Sequence, residues 1–148
     1  MSRTVRLETR GKVHDLREIF DSLNKRCFAG KIRARITWGL RRKPGRKPRS
    51  QNSIKMGSYC FIDKLIRIHP SLDRKFVPRY FVEWIVFHEM LHEKHGLRIR
   101  RSYGWPYRRY RFYRSFHPAA FNAEEKEFEH YERGKKWEQK NLNRLLVY

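Results

Sequence analysis

"RYFVEWIVFHEMLHEKHG", residues 79–96, is the stretch whose reading decides the fold. Its apolar positions Phe81, Trp84, Ile85, Met90 and Leu91 recur with helical period, Pro78 stands just ahead, and Gly96 follows, so a helix is predicted over Arg79 to His95. On a helix, residues four apart share a face, and His88 and His92 can aim two imidazole nitrogens at one point. Glu89 lies one residue round from His88, beside that point rather than in a ligand position, where a carboxylate can take a proton from water. This HExxH spacing supplies two zinc ligands and a general base.

A catalytic zinc needs a third protein ligand and an open position for water. The candidates are His14, His69, His95, His117 and His130. His95 is three residues beyond His92, but the helix lifts it a further turn from His88, which makes joint ligation poor. His117 precedes Pro118 at the mouth of the next helix, and a chain returning to pack on the first helix would present it to the same point. His117 is therefore the preferred ligand and His130 the runner-up. Glu124, Glu125, Glu127 and Glu129 read as the solvated acidic face of that helix, although spacing leaves a Glu ligand open.

The remaining elements follow by periodicity. Val13, Leu16, Ile19, Phe20, Leu23 and Phe28 make one apolar helical face, with Ala29-Gly30 as the stop. "KIRARITWG", residues 31–39, alternates like a half-buried strand. Residues 40–53, with six basic side chains, two prolines and a glycine, read as a basic loop. "IKMGSYCFI" and "KLIRIHP" read as two strands joined by a tight turn. "HPAAFNAEEKEFEHYERGKKW", residues 117–137, reads as a second helix opened by Pro118 and closed near Gly134, followed by a terminal segment that packs Leu142, Leu145 and Leu146 on the core. The expected architecture is a single α+β domain over residues 1–148: an N-terminal helix, a small antiparallel sheet, the HExxH helix and a following C-terminal helix.

The chain has 36 Lys and Arg against 15 Asp and Glu, a formal charge of +21, and a field of that sign favours polyanions. With 39% hydrophobic residues it still has the material for a core. Cys27 and Cys60 form no CxxC pair, which excludes a zinc ribbon or a disulfide scaffold and fits a reducing, intracellular setting, cytoplasm or nucleoid or nucleus. The N-terminal residues carry no apolar signal region, and Glu83 and His88 interrupt the longest apolar stretch, so neither export nor membrane insertion is expected. Nothing signals an oligomer, and a monomer is the default.

Between His92 and His117 lies "LRIRRSYGWPYRRYRFYRSF", residues 97–116. It interleaves Arg98, Arg100, Arg101, Arg108, Arg109, Arg111 and Arg114 with aromatics including Tyr107 and Tyr110. Arginines contact phosphates and aromatic faces stack on bases, so this segment is the candidate nucleic-acid contact, DNA before RNA. "RRKPGRKPR" is a second basic patch, suited to phosphate contact without base readout.

Taken in order, "LREIFDSLNKRCFAGKIRARITWG", "IRIHPSL", "FHEMLH" and "HPAAF" resemble the SprT-like family of zinc metalloproteases over most of the chain. In that family the histidine of the last motif completes the zinc site. The resemblance carries this role onto His117, with Phe121 as the motif's aromatic and Pro118 in place of the usual glycine. It implies a zincin-like fold, one catalytic Zn2+, and an endopeptidase that cuts proteins bound or crosslinked to DNA with a zinc-activated water and Glu89 as base. The alternative is a nucleic-acid-binding module in which a three-histidine zinc only fixes the fold.

Overall fold

The structure, a computed structural model, describes residues 6–96 and 117–148. Four helices and a three-stranded sheet make up a mixed α+β architecture. In chain order these are α1 (Leu16–Phe28), β1 (Arg35–Trp38), β2 (Gly57–Cys60), β3 (Leu65–Ile68), α2 (Arg79–His95), α3 (Ala119–Glu127) and α4 (Tyr131–Leu145).

α1 begins later than its apolar pattern, because Asp15 caps it and accepts the N–H groups of Arg17 and Glu18. Val13 is thereby left exposed while Leu16, Ile19, Phe20, Leu23 and Phe28 are buried. The helix ends at Ala29 in the left-handed region, φ 51°, followed by Gly30 at φ 71°. Asn24 then ties helix to strand: its side-chain amide donates to Ile32 O at 3.0 Å and its Oδ1 accepts Ile32 N–H at 3.1 Å.

The expected hairpin is present, with β2 antiparallel to β3. The sheet as a whole is mixed, contrary to the antiparallel expectation: its order is β1-β3-β2, and β1 runs parallel to β3 from Arg35↔Leu65 to Trp38↔Ile68. Parallel neighbours need a long crossover, and residues 39–56 together with β2 supply one. Thr37, on the polar side of the alternation in residues 31–39, is buried, since the segment at Glu8 lies along it: Glu8 N–H donates to Thr37 Oγ1, and Trp38 N–H to Glu8 O, both at 2.8 Å.

That N-terminal segment is held by one carboxylate. Asp73, almost fully buried, accepts the N–H groups of Lys12, Val13 and His14 and pairs with Arg41 at 2.9 Å. Gly11 sits so close to the same carboxylate that a side chain there would collide with it.

α2 matches its expected bounds and is the spine of the core, touching β2, β3, α1, α3 and α4. Ten of its residues are buried, from Phe81 to Leu91, which is why its apolar surface extends nearly all round. The single helix expected after Pro118 is two. α3 stops at Phe128, whose backbone turns extended (φ −62°, ψ 132°) so that its ring stacks on Phe87 at 4.2 Å. Gly134, expected to close the helix, lies inside α4, where its bare Cα faces the Trp84 indole. The terminal segment is the second half of α4 and the residues after it; Leu145 is fully buried, Leu146 half-buried and Leu142 39% exposed. Among the described residues no helix is long and apolar enough to cross a membrane.

Candidate metal centre

Helix geometry sets His88 and His92 one above the other on α2, with ring centroids 5.1 Å apart. His117 enters from the residue pair that opens α3, and its ring lies 4.9 Å from His88 and 5.1 Å from His92. Each of the three offers a ring nitrogen within 4.8 Å of the others, a cluster that could hold a metal ion. Phe121, wholly buried one turn into α3, backs all three rings at 4.8–5.0 Å and fixes the direction from which His117 approaches.

The tautomer of His88 is set from behind. Its Nδ1 lies 2.7 Å from Glu125 Oε1, so Nδ1 carries the proton and Nε2 is left with its lone pair toward the cluster. The Trp84 indole N–H donates to the same oxygen at 3.1 Å. On the open side, His88 Nε2 and His117 Nε2 stand 3.1 Å apart. Imidazoles sharing a zinc at 2.0–2.1 Å in tetrahedral geometry have nitrogens about 3.3 Å apart, and this pair stands near that spacing.

Electrostatics keep two of the three histidines in the form a metal requires, and favour the charged form of the third. Burial, then the neighbouring His88 and His117, push His92 down to about 3, and burial with His88 also lowers His117. Both are neutral imidazoles at neutral pH. For His88, burial acts downward but is outweighed by the hydrogen bond and charge of Glu125, and its pKa is raised. Burial likewise opposes ionisation of Glu125, yet His88 and Trp84 hold it below the usual carboxylate value.

Glu89 is not part of the cluster. It is buried, its carboxylate packs against the bare Cα of Gly57 on β2, and burial pushes its pKa up to about 7, with His88 and Lys55 pulling the other way. A carboxylate poised there can take and return a proton near neutral pH.

The other histidines are engaged elsewhere. His14 donates from Nε2 to Val77 O, and His69 accepts the Ser71 N–H at Nδ1. His95 lies 3.2 Å from Glu124 without hydrogen-bond alignment, and His130 pairs with Glu83 at 3.0 Å. Of the acidic residues read as solubilising, Glu124 bonds Lys94 and Glu129 bonds Arg26, but Glu125 belongs to the site. A Glu eight positions after His117 on a short helix was the available signal; without the packing angle of α3 on α2 it pointed nowhere. Arg98, Arg100, Arg101, Arg108, Arg109, Arg111, Arg114, Tyr107 and Tyr110 lie outside the described residues.

Compared with known proteins, the chain matches no family model, no curated protein and no solved structure.

Proposed function

We propose that this chain is a zinc-dependent endopeptidase of SprT-like type with a zincin-like fold, acting on proteins associated with nucleic acid. The observation that carries the reading is the convergence of His88, His92 and His117 from two helices, with the Glu89 carboxylate buried next to His88 but outside the ligand set. A single zinc in the three-histidine site, when bound, supplies Lewis acidity and brings the pKa of water in its open position to about 7.

The chain's own groups do the rest. Glu89 accepts the proton of the attacking water at its carboxylate and hands it to the leaving amine, and a pKa of about 7 suits both transfers. Glu125 holds the His88 ring, and Trp84 holds Glu125. Phe121 and the α2 core shut bulk water out from behind, which strengthens each of these interactions. The net charge of +21 favours nucleic acid, DNA before RNA, as the companion of the protein substrate.

The test is Glu89→Gln, with metal content and cleavage of a DNA-bound protein measured together. We expect undiminished zinc and a loss of rate of about 10²–10⁴-fold. Unchanged proteolysis overturns the mechanism. Stoichiometric zinc with no peptidase activity in the parent chain favours the structural-zinc module instead.

A further inference from the structure

Away from the histidines, residues 40–51 fold back over the end of α4. Arg49 and Tyr148 exchange backbone hydrogen bonds of 3.1 and 3.2 Å, and Gln51 N–H donates to Leu146 O at 2.9 Å. Under this loop lie two adjoining hollows of about 450 and 400 Å³ that share Arg42, Arg46 and Tyr148 as lining. Together they form one open groove.

Six basic side chains line it: Lys12, Arg41, Arg42, Arg46, Arg49 and Arg74. Two are committed to the fold. Arg41 neutralises Asp73, and Arg74 donates to the carbonyls of Ser71, Val147 and Arg144. Arg42 reaches only a neutral carbonyl, that of Lys47. Lys12, Arg46 and Arg49 make no ion pair among the described residues, and no Asp or Glu side chain lines the groove. The sequence excludes a local partner as well, because residues 22–62 contain no acidic residue at all. Gathering Lys12, Arg42, Arg46 and Arg49 without an acidic side chain beside them costs free energy in the free protein, and a polyanion removes that cost.

We infer that this groove binds the sugar-phosphate backbone of a nucleic acid. Two features favour that polyanion over an acidic peptide. Arginine forks, which match phosphate oxygens in pairs, make up five of the six cations. His69 and Tyr148, in edge contact at 5.3 Å, give the wall aromatic surface on which a base can lie. The groove is tied to the strand that backs Glu89. His69 N–H donates to Met56 O at 2.8 Å, and the next residue, Gly57, is where the Glu89 carboxylate packs. The inference rests on the nucleic-acid part of the proposed function and is independent of hydrolysis.

The experiment measures binding of a fluorescent 20-nucleotide DNA, single- and double-stranded, between 50 and 200 mM salt. It uses the parent chain, Arg42→Gln/Arg46→Gln/Arg49→Gln, and the same three positions changed to Lys. Each lost duplex phosphate contact removes about 0.9 from the log–log salt slope, so the parent should weaken about 40-fold more than the Gln variant across this range. The Lys variant, which keeps the charge, should retain the parent slope. Equal slopes in the parent and Gln variant, with both folded by their thermal midpoints, overturn the groove. If Arg108→Gln/Arg109→Gln/Arg111→Gln alone flattens the slope, nucleic acid remains the partner and the groove assignment falls. No DNA binding by the parent overturns both. Polyglutamate competing as well as DNA at equal charge overturns the nucleic-acid assignment in favour of an acidic protein.

Discussion

The Glu125 carboxylate lies 2.7 Å from His88 Nδ1, joining α3 to the helix that carries two histidines of the candidate metal cluster. Partners of this kind orient a ligating imidazole, and their loss costs about 10–100-fold in metal affinity. We expect Glu125→Ala to weaken zinc binding by that factor, measured by chelator competition. Glu125→Gln should recover much of it, since an amide oxygen still accepts from Nδ1–H.

Gly57 tests the base separately from the ligands. A methyl group there would sit 2.7 Å from Glu89 Oε1 and 2.9 Å from its Cγ, so the buried carboxylate has to move. Gly57→Ala should leave zinc affinity near the parent value and lower proteolysis by about 10²-fold, the usual consequence of a displacement near 1 Å. Rate and zinc content measured on the same sample decide it.

Asp73 makes stability depend on acid. Burial alone would raise its pKa, but the N–H groups of His14, Lys12 and Val13 and the Arg41 guanidinium outweigh this and hold it below its ordinary 3.8. A group depressed in the folded state contributes fully above its unfolded value, and that contribution is lost as pH falls from about 4 through the folded pKa. Asp73→Asn should cost about 3 kcal/mol at pH 7, and the gap from the parent in urea midpoint should close below about pH 4. A gap that persists at low pH would mean that the ionised form is not what holds the N-terminal segment.

Gly134→Ala should destabilise the fold even though alanine is the better helix former by about 1 kcal/mol. The added methyl meets Trp84 Cε3 at 2.7 Å in a filled core, and such overpacking costs about 1–3 kcal/mol. Because the Trp84 indole also steadies Glu125, zinc affinity should fall alongside the thermal midpoint.

Local signals carried much of this into the sequence. Pro78, Gly96 and the apolar period set α2 to the residue, and the four-residue spacing of His88 and His92 needs nothing but a helix. His117 joins them in space, as its place ahead of Pro118 led one to expect. The division of α3 from α4 was not legible, since no glycine or proline marks it; Phe128 leaves helical geometry to stack on Phe87, a contact from 41 residues away. Gly134 misled for the converse reason: it serves packing against Trp84, not termination. The parallel pairing of β1 with β3 depends on which strand fills the middle of the sheet, and no strand's own pattern records that.

α2 also carries a second attachment at its end. Glu93, the residue after His92, accepts the N–H groups of Arg33 and Ala34 at 2.9–3.2 Å, closing the approach to β1. Adjacent residues on a helix point about 100° apart, so His92 reads the helix's rotation at the histidine cluster while Glu93 reads it at the sheet. The helix is keyed from two directions. One residue inserted anywhere between Pro78 and His88 would turn both keys at once, whereas extra length in residues 40–48 leaves them untouched. The fold therefore tolerates a change of length in the basic loop and is bound to a fixed length in the stretch from Pro78 to Glu93.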